Sequence, residues 1–142
     1  MTTSMRRRSA EWLVVACGVW QVGLGLYFIF LRPALLPEDL RYLGAGTQAL
    51  LGAAPGLLAW LGKVFTVMGG FMAGCGVLVA YVGWYVLPMR PRGAAVALAL
   101  TGALTVLVMS AVNFALQSDF RWLLLAPPLV WTGAVVAYLR ER

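Results

Sequence analysis

The chain has 142 residues, 62% of them hydrophobic and 11% charged, with a mean hydropathy of +0.86 and a formal net charge of +6. That is far more apolar than an average soluble domain and leaves no stretch for one, so the chain belongs in a bilayer. With no histidine and only two cysteines, outside any CxxC arrangement, metal binding by imidazole or clustered thiolates lacks its ligands, and no metal or other cofactor is expected.

A spanning helix needs about 20 mostly apolar residues, and roughly 12–31, 60–87, 94–117 and 121–139 meet that need. They predict an all-α fold: an integral membrane four-helix bundle, a single transmembrane domain over residues 1–142. The outer loop, 32–59, is expected to carry short interfacial helices. The first span follows Arg6, Arg7 and Arg8. Its apolar run is too long for a signal-peptide core and no small-x-small site closes it, so an uncleaved anchor is expected. The arginine cluster is a loose match to a twin-arginine signal, and that export route would not explain three further spans.

Placing the N-terminus in the cytoplasm puts Arg6, Arg7, Arg8, Arg90, Arg92, Arg140 and Arg142 inside and Arg32, Arg41, Lys63 and Arg121 outside, seven against four. Both termini are therefore expected to be cytoplasmic. The basic balance is a topology signal with attraction to anionic lipid added, and no nucleic-acid partner is expected. Trp12, Trp84, Tyr85 and Tyr138 then fall near the inner interface, and Tyr42, Trp60, Phe120 and Trp122 near the outer one, where amphipathic rings settle.

The connection "RPALLPEDLRYLGAGTQALLGAAPGLLAW" (32–60) is too apolar for a solvated linker. Pro37 followed by Glu38 and Asp39 suits a helix start, and Gly44 and Gly46 its end. "TQALLGAA" is expected to lie on the membrane surface before Pro55 and Gly56 turn the chain into the second span. The segment reads as a cap over the outer mouth, with a lid or docking surface as the alternative.

In the second span Gly62, Thr66, Gly69, Ala73, Gly76, Ala80 and Gly83 alternate steps of four and three, forming one seam of small side chains. Small residues let two backbones approach closely in lipid, so this seam should face another helix at a left-handed crossing near about +20°. Gly18, Gln21 and Gly25 of the first span offer one partner face; Ala95, Ala99 and Gly102 of the third offer another, and a second copy a further one. Cys17 and Cys75 lie at depths differing by roughly 9 Å, too far for a disulfide needing Cα atoms within about 7 Å, so two free thiols are expected.

The third span carries Ser110, Asn113 and Gln117 on one face, and polar groups in hydrocarbon should look inward. In the fourth, Pro127 and Pro128 lack N–H groups, which would leave the carbonyls of Leu123 and Leu124 without helical partners. One reading makes the polar face a repair of that break. The other makes it an outer-half pocket for a lipid headgroup, quinone-like ring or other neutral polar ligand, with Gln21, Thr66, Ser110, Asn113, Gln117 and Trp131 as candidate ligand-binding residues. Uncharged amides are poor general acids and bases, and no catalytic residue is assigned.

The runs "LLPEDLRYLG" and "LLAWLGKVFTVMGGFMAGCGVL" resemble those of a group of small, uncharacterised four-span bacterial membrane proteins with an outer loop after the first span. That resemblance, over the first two-thirds of the chain, implies a bacterial inner-membrane protein and carries over no site residue. The leading functional expectation is a non-enzymatic membrane protein that acts as an accessory or interaction subunit or binds lipid, its partners being membrane lipids and a larger membrane-protein complex or a second copy. The alternative is a small transporter or ligand-binding protein using the outer-half pocket. A third, a membrane enzyme using Glu38, Asp39 and Arg41, is disfavoured because adjacent charges in a capped turn are usually structural.

Overall fold

The computed structural model describes residues 8–141, so Arg6, Arg7 and Arg142, counted above, lie outside the described residues. The described chain forms six helices and no strand: α1 (Ser9–Phe30), α2 (Pro37–Leu43), α3 (Thr47–Ala53), α4 (Leu57–Met89), α5 (Ala94–Ala115) and α6 (Leu123–Arg140). Four of them, α1, α4, α5 and α6, with 22, 33, 22 and 18 residues, are long and apolar enough to cross a membrane. At 1.5 Å per residue even α6 reaches about 27 Å, close to the thickness of a hydrocarbon core. Large apolar side chains point outward along them, Phe71 at 79%, Phe30 at 75% and Leu104 at 73% exposure. Such a surface would be an association hazard in water and is the expected one in lipid. The chain is an all-α, multi-pass membrane protein.

Local chemistry explains the helix ends. Pro37 occupies the first turn of α2, Asp39 Oδ2 accepts the Leu36 N–H at 2.8 Å, and Gly44 closes the helix at φ +64°, a left-handed conformation that glycine adopts without strain. Gly46 turns out to be the N-cap of α3 and not the end of α2. The second span continues further than its apolar core: α4 ends in a π-helical turn, Val82–Val86, in which the Leu87 N–H reaches the Val82 carbonyl, followed by a tight 3₁₀ turn, Leu87–Met89. Pro88, without an N–H, cannot continue an α-helical ladder there.

The fourth span corrects the expectation of a mid-span break and of an unpartnered Leu123 carbonyl. Pro127 and Pro128 fall in the first α-helical turn of α6, behind a 3₁₀ turn at Leu123–Leu125, and the Leu123 carbonyl is taken by the Ala126 N–H. First-turn N–H groups have no intrahelical partner in any case, so the prolines start the helix rather than break it.

The four spans pack in a row, in the order α4, α1, α6, α5, with the α1–α4 contact the most extensive. The glycine seam faces α1. A Cβ on Gly18 would lie 2.5 Å from the Ala80 nitrogen, one on Gly25 2.5 Å from the Ala73 nitrogen, and one on Gly76 2.6 Å from the Gly18 carbonyl. Gly69 and Gly83 complete the contact against Phe28 and Ile29 and against Val14 and Val15. The seam thus packs within the chain from Gly69 to Gly83, whereas Gly62 meets nothing and Thr66 is exposed. Ala10, Val14 and Cys17 of α1, Val79 and Leu87 of α4, Leu98 and Val106 of α5, and Trp131, Ala134 and Tyr138 of α6 form the buried core.

Candidate functional site

The candidate polar residues do not assemble into a pocket. The Thr66 hydroxyl donates to the Gly62 carbonyl one turn back at 2.9 Å, on an exposed face of α4. The Asn113 amide likewise donates to Met109 of its own helix at 2.9 Å. Gln117 has φ +50° and lies exposed beyond the end of α5, closing the helix instead of extending its polar face. Ser110 is buried at 2% exposure in α5. Gln21, in the middle of α1, is buried at 6% exposure, and its Nε2 has no hydrogen-bond partner. A buried unpaired amide costs about 1–3 kcal/mol, which makes Gln21 a local weakness of the core.

Trp131 is the candidate for which the structure gives the clearest role. Its indole sits against Gly102 of α5, where any added Cβ would run into the ring, and its Nε1–H donates to the Leu98 carbonyl at 2.8 Å. Gly102 is thus a socket for a tryptophan, locking α6 to α5. One residue further on, α5 widens into a π-helical turn at Ala103–Leu107, beside the Thr105 hydroxyl bonded to the Thr101 carbonyl at 2.6 Å. Side-chain competition for a backbone carbonyl of this kind perturbs the regular ladder.

On the long-loop side, α2 is pinned by charges. Glu38, buried at 6% exposure, accepts the Ser118 hydroxyl proton at 2.8 Å, and Ser118 Oγ in turn accepts the Phe120 N–H at 3.2 Å. Arg41 pairs with Asp119 at 2.8 Å, both exposed, and Arg32 lies 3.4 Å from Asp39 and 3.6 Å from the centroid of the Phe65 ring. Glu38, Asp39 and Arg41 each hold a partner within the chain, in line with a structural role.

The space available for a ligand lies at the opposite end, on the side of the termini. There α4 and α5 follow one another through a short turn yet scarcely touch, since each is packed against a different neighbour. Between them opens a cleft of about 560 Å³, walled by Leu78, Val82 and Val86 of α4 and by Ala94, Ala97, Leu98 and Thr101 of α5, with Val14 and Trp131 at its back. The spacing explains it: Ala94, Ala97 and Thr101 recur at helical intervals, and such small side chains do not reach across to the aliphatic face of α4. Its volume falls within the range of small-molecule sites.

The turn Pro91–Arg92–Gly93 forms the rim of this cleft, with Gly93 at φ +85° as the N-cap of α5. The neighbouring Arg90 is committed elsewhere: it donates to the Tyr138 carbonyl at 2.5 Å and the Glu141 carbonyl at 2.8 Å, with its guanidinium 4.3 Å from the Tyr138 ring centroid. Glu141 also receives Arg8 and Ser9, and the Arg8 N–H donates to Glu11 Oε2 at 3.3 Å. These bonds tie α1, the α4–α5 turn and the end of α6 together, with Glu11 and Glu141 Oε1 accepting within the chain and Glu141 Oε2 left without a partner. Arg92 is left with no acidic partner among the described residues.

The cleft depends on which spans are neighbours, which local sequence pattern does not specify; the small residues at 94, 97 and 101 are its only trace in the sequence. Comparison with protein-family models, curated proteins and solved structures finds no match to this chain.

Proposed function

We propose that this is a non-catalytic protein of the bacterial cytoplasmic membrane, with both termini cytoplasmic, that holds a membrane lipid by one of its chains. The cleft between α4 and α5 carries this reading: it is lined mostly by aliphatic side chains and opens between two helices long and apolar enough to cross a membrane. Cys75 and Arg92 are the only titratable side chains among its lining residues, and Glu38, Asp39 and Arg41 of the long loop each hold a partner within the chain, so binding is favoured over chemistry. The sequence count of seven basic residues against four supports the orientation, and the likeness of "LLPEDLRYLG" to small bacterial four-span proteins supports the membrane assigned.

A phospholipid bearing a photoreactive group in its acyl chain tests this. After irradiation in liposomes, labels should concentrate on the segments around Leu78–Val86 and Ala97–Thr101. Labels spread evenly over lipid-facing residues such as Val67, Phe71 and Leu104 would contradict it.

The accessory-subunit reading is favoured by a separate observation. Gly62, Gly70 and Gly74 meet nothing within contact distance and, with the exposed Thr66, form a second stripe of small residues on α4 facing away from α1. Such stripes are where membrane helices approach one another. A stoichiometric protein co-purifying with the chain, and lost on Gly70→Leu with Gly74→Leu, would establish that reading.

A further inference from the structure

The cleft has one charged lining residue that its apolar walls do not explain. Arg92 stands at its mouth, beside the first turn of α5, at the level where the span begins. We propose that Arg92 makes the cleft selective for lipids with a phosphate-bearing, net-anionic headgroup, such as phosphatidylglycerol. The proposal rests on the lipid-holding reading and goes beyond it, since a greasy groove alone would take any chain.

Charge complementarity supports it. Of the arginines at this end, Arg8 and Arg90 are bound to carbonyls of Glu141 and Tyr138, and both described acids, Glu11 and Glu141, accept hydrogen bonds from within the chain. Those carbonyls occupy the guanidinium donors of Arg8 and Arg90, whereas Arg92 has neither a hydrogen-bond nor an ion-pair partner among the described residues, and a guanidinium matches a phosphate in both charge and donor geometry. The start of α5 adds the positive end of a 22-residue helix on the same side. A chain lying between α4 and α5 would bring its headgroup to this rim. The inference holds for either orientation of the protein, because Arg92 lies at an interface in both.

The test is titration of delipidated protein in neutral detergent with phosphatidylglycerol and with phosphatidylcholine of the same chains, counting bound lipids by native mass spectrometry. The wild type should favour phosphatidylglycerol about fivefold, corresponding to about 1 kcal/mol for one basic side chain at an anionic surface. Arg92→Gln should bind both lipids equally while keeping its fold by circular dichroism. Arg140→Gln, which removes an exposed arginine from the same end outside the cleft, should keep the preference. Ala97→Trp, which fills the cleft, should bind neither. A preference that survives Arg92→Gln, or a wild type without one, overturns the headgroup inference and leaves chain binding standing. Unchanged binding in Ala97→Trp overturns the lipid-holding reading itself.

Discussion

Helix α4 meets its two sequence neighbours among the spans in opposite ways. Against α1 it is sealed, with glycines on both sides placed so that a methyl group would fall within 2.7 Å of the other helix's backbone. Against α5, to which it is joined by a short turn, it is parted by a cleft of about 560 Å³. Both interfaces contain small residues, and the difference lies in reciprocity. Gly18 and Gly25 of α1 stand opposite Gly69, Ala73, Gly76 and Ala80, so small meets small and the backbones close. Ala94, Ala97 and Thr101 of α5 stand opposite Leu78, Val82 and Val86, and α5 is held away by its own attachment to α6, Trp131 in the Gly102 socket. Small side chains seal an interface only when the partner is also small at the matching level; otherwise they leave room.

The largest expected effect comes from breaking the sealed side. Gly76→Leu or Gly18→Leu drives a side chain into backbone, so loss of more than about 3 kcal/mol, or of folded protein, is expected. Thermal unfolding in detergent, followed by circular dichroism, would show it. On the other side of the row, Gly102→Ala displaces Trp131 and should cost about 1–3 kcal/mol. Trp131→Phe keeps an aromatic side chain but removes both the bond to Leu98 and the pyrrole atoms seated against Gly102, and should cost about 1–3 kcal/mol by the same assay. If Gly102→Ala melts like wild type, Trp131 does not hold α5 in place.

A gain is expected at the centre. Gln21→Met replaces a buried amide lacking an acceptor with an apolar chain of similar length, and should raise stability by about 1 kcal/mol. A loss there would reveal a partner for the amide. Ser118→Ala removes the bond to Glu38, and hydrogen exchange across 32–59 should quicken while the spans stay protected. The smallest effect sharpens the comparison: Gly70→Leu, on the face of α4 that meets nothing, should change stability by less than about 0.5 kcal/mol in the monomer.

Much of this fold was legible because membrane spans are written in composition. The four spans, the helix opened by Pro37 and closed by Gly44, the short helix at 47–53 and the existence of a small-residue seam on the second span all follow from local pattern, whereas the choice of Gly18 and Gly25 as its partners does not. The span order was not legible, since hydropathy says that a helix faces lipid or protein but not which protein face. The polar residues misled for a related reason. Helical periodicity put Gln117 on the face of Ser110 and Asn113, yet the helix ends first and Gln117 turns away at positive φ. Pro127 and Pro128 looked like a mid-span break because the hydrophobic run began before the helix did. Glu38 gave no sign of burial, because its partner Ser118 lies 80 residues away.

The central claim is that the gap between α4 and α5 is a lipid site. Its most direct test is extraction of the wild type and Ala97→Trp straight from their native membrane into nanodiscs, followed by native mass spectrometry with increasing collision energy. One lipid should resist removal from the wild type and be missing from Ala97→Trp. Identical stripping of both to the bare chain, or a stoichiometric protein in place of the lipid, would contradict the account.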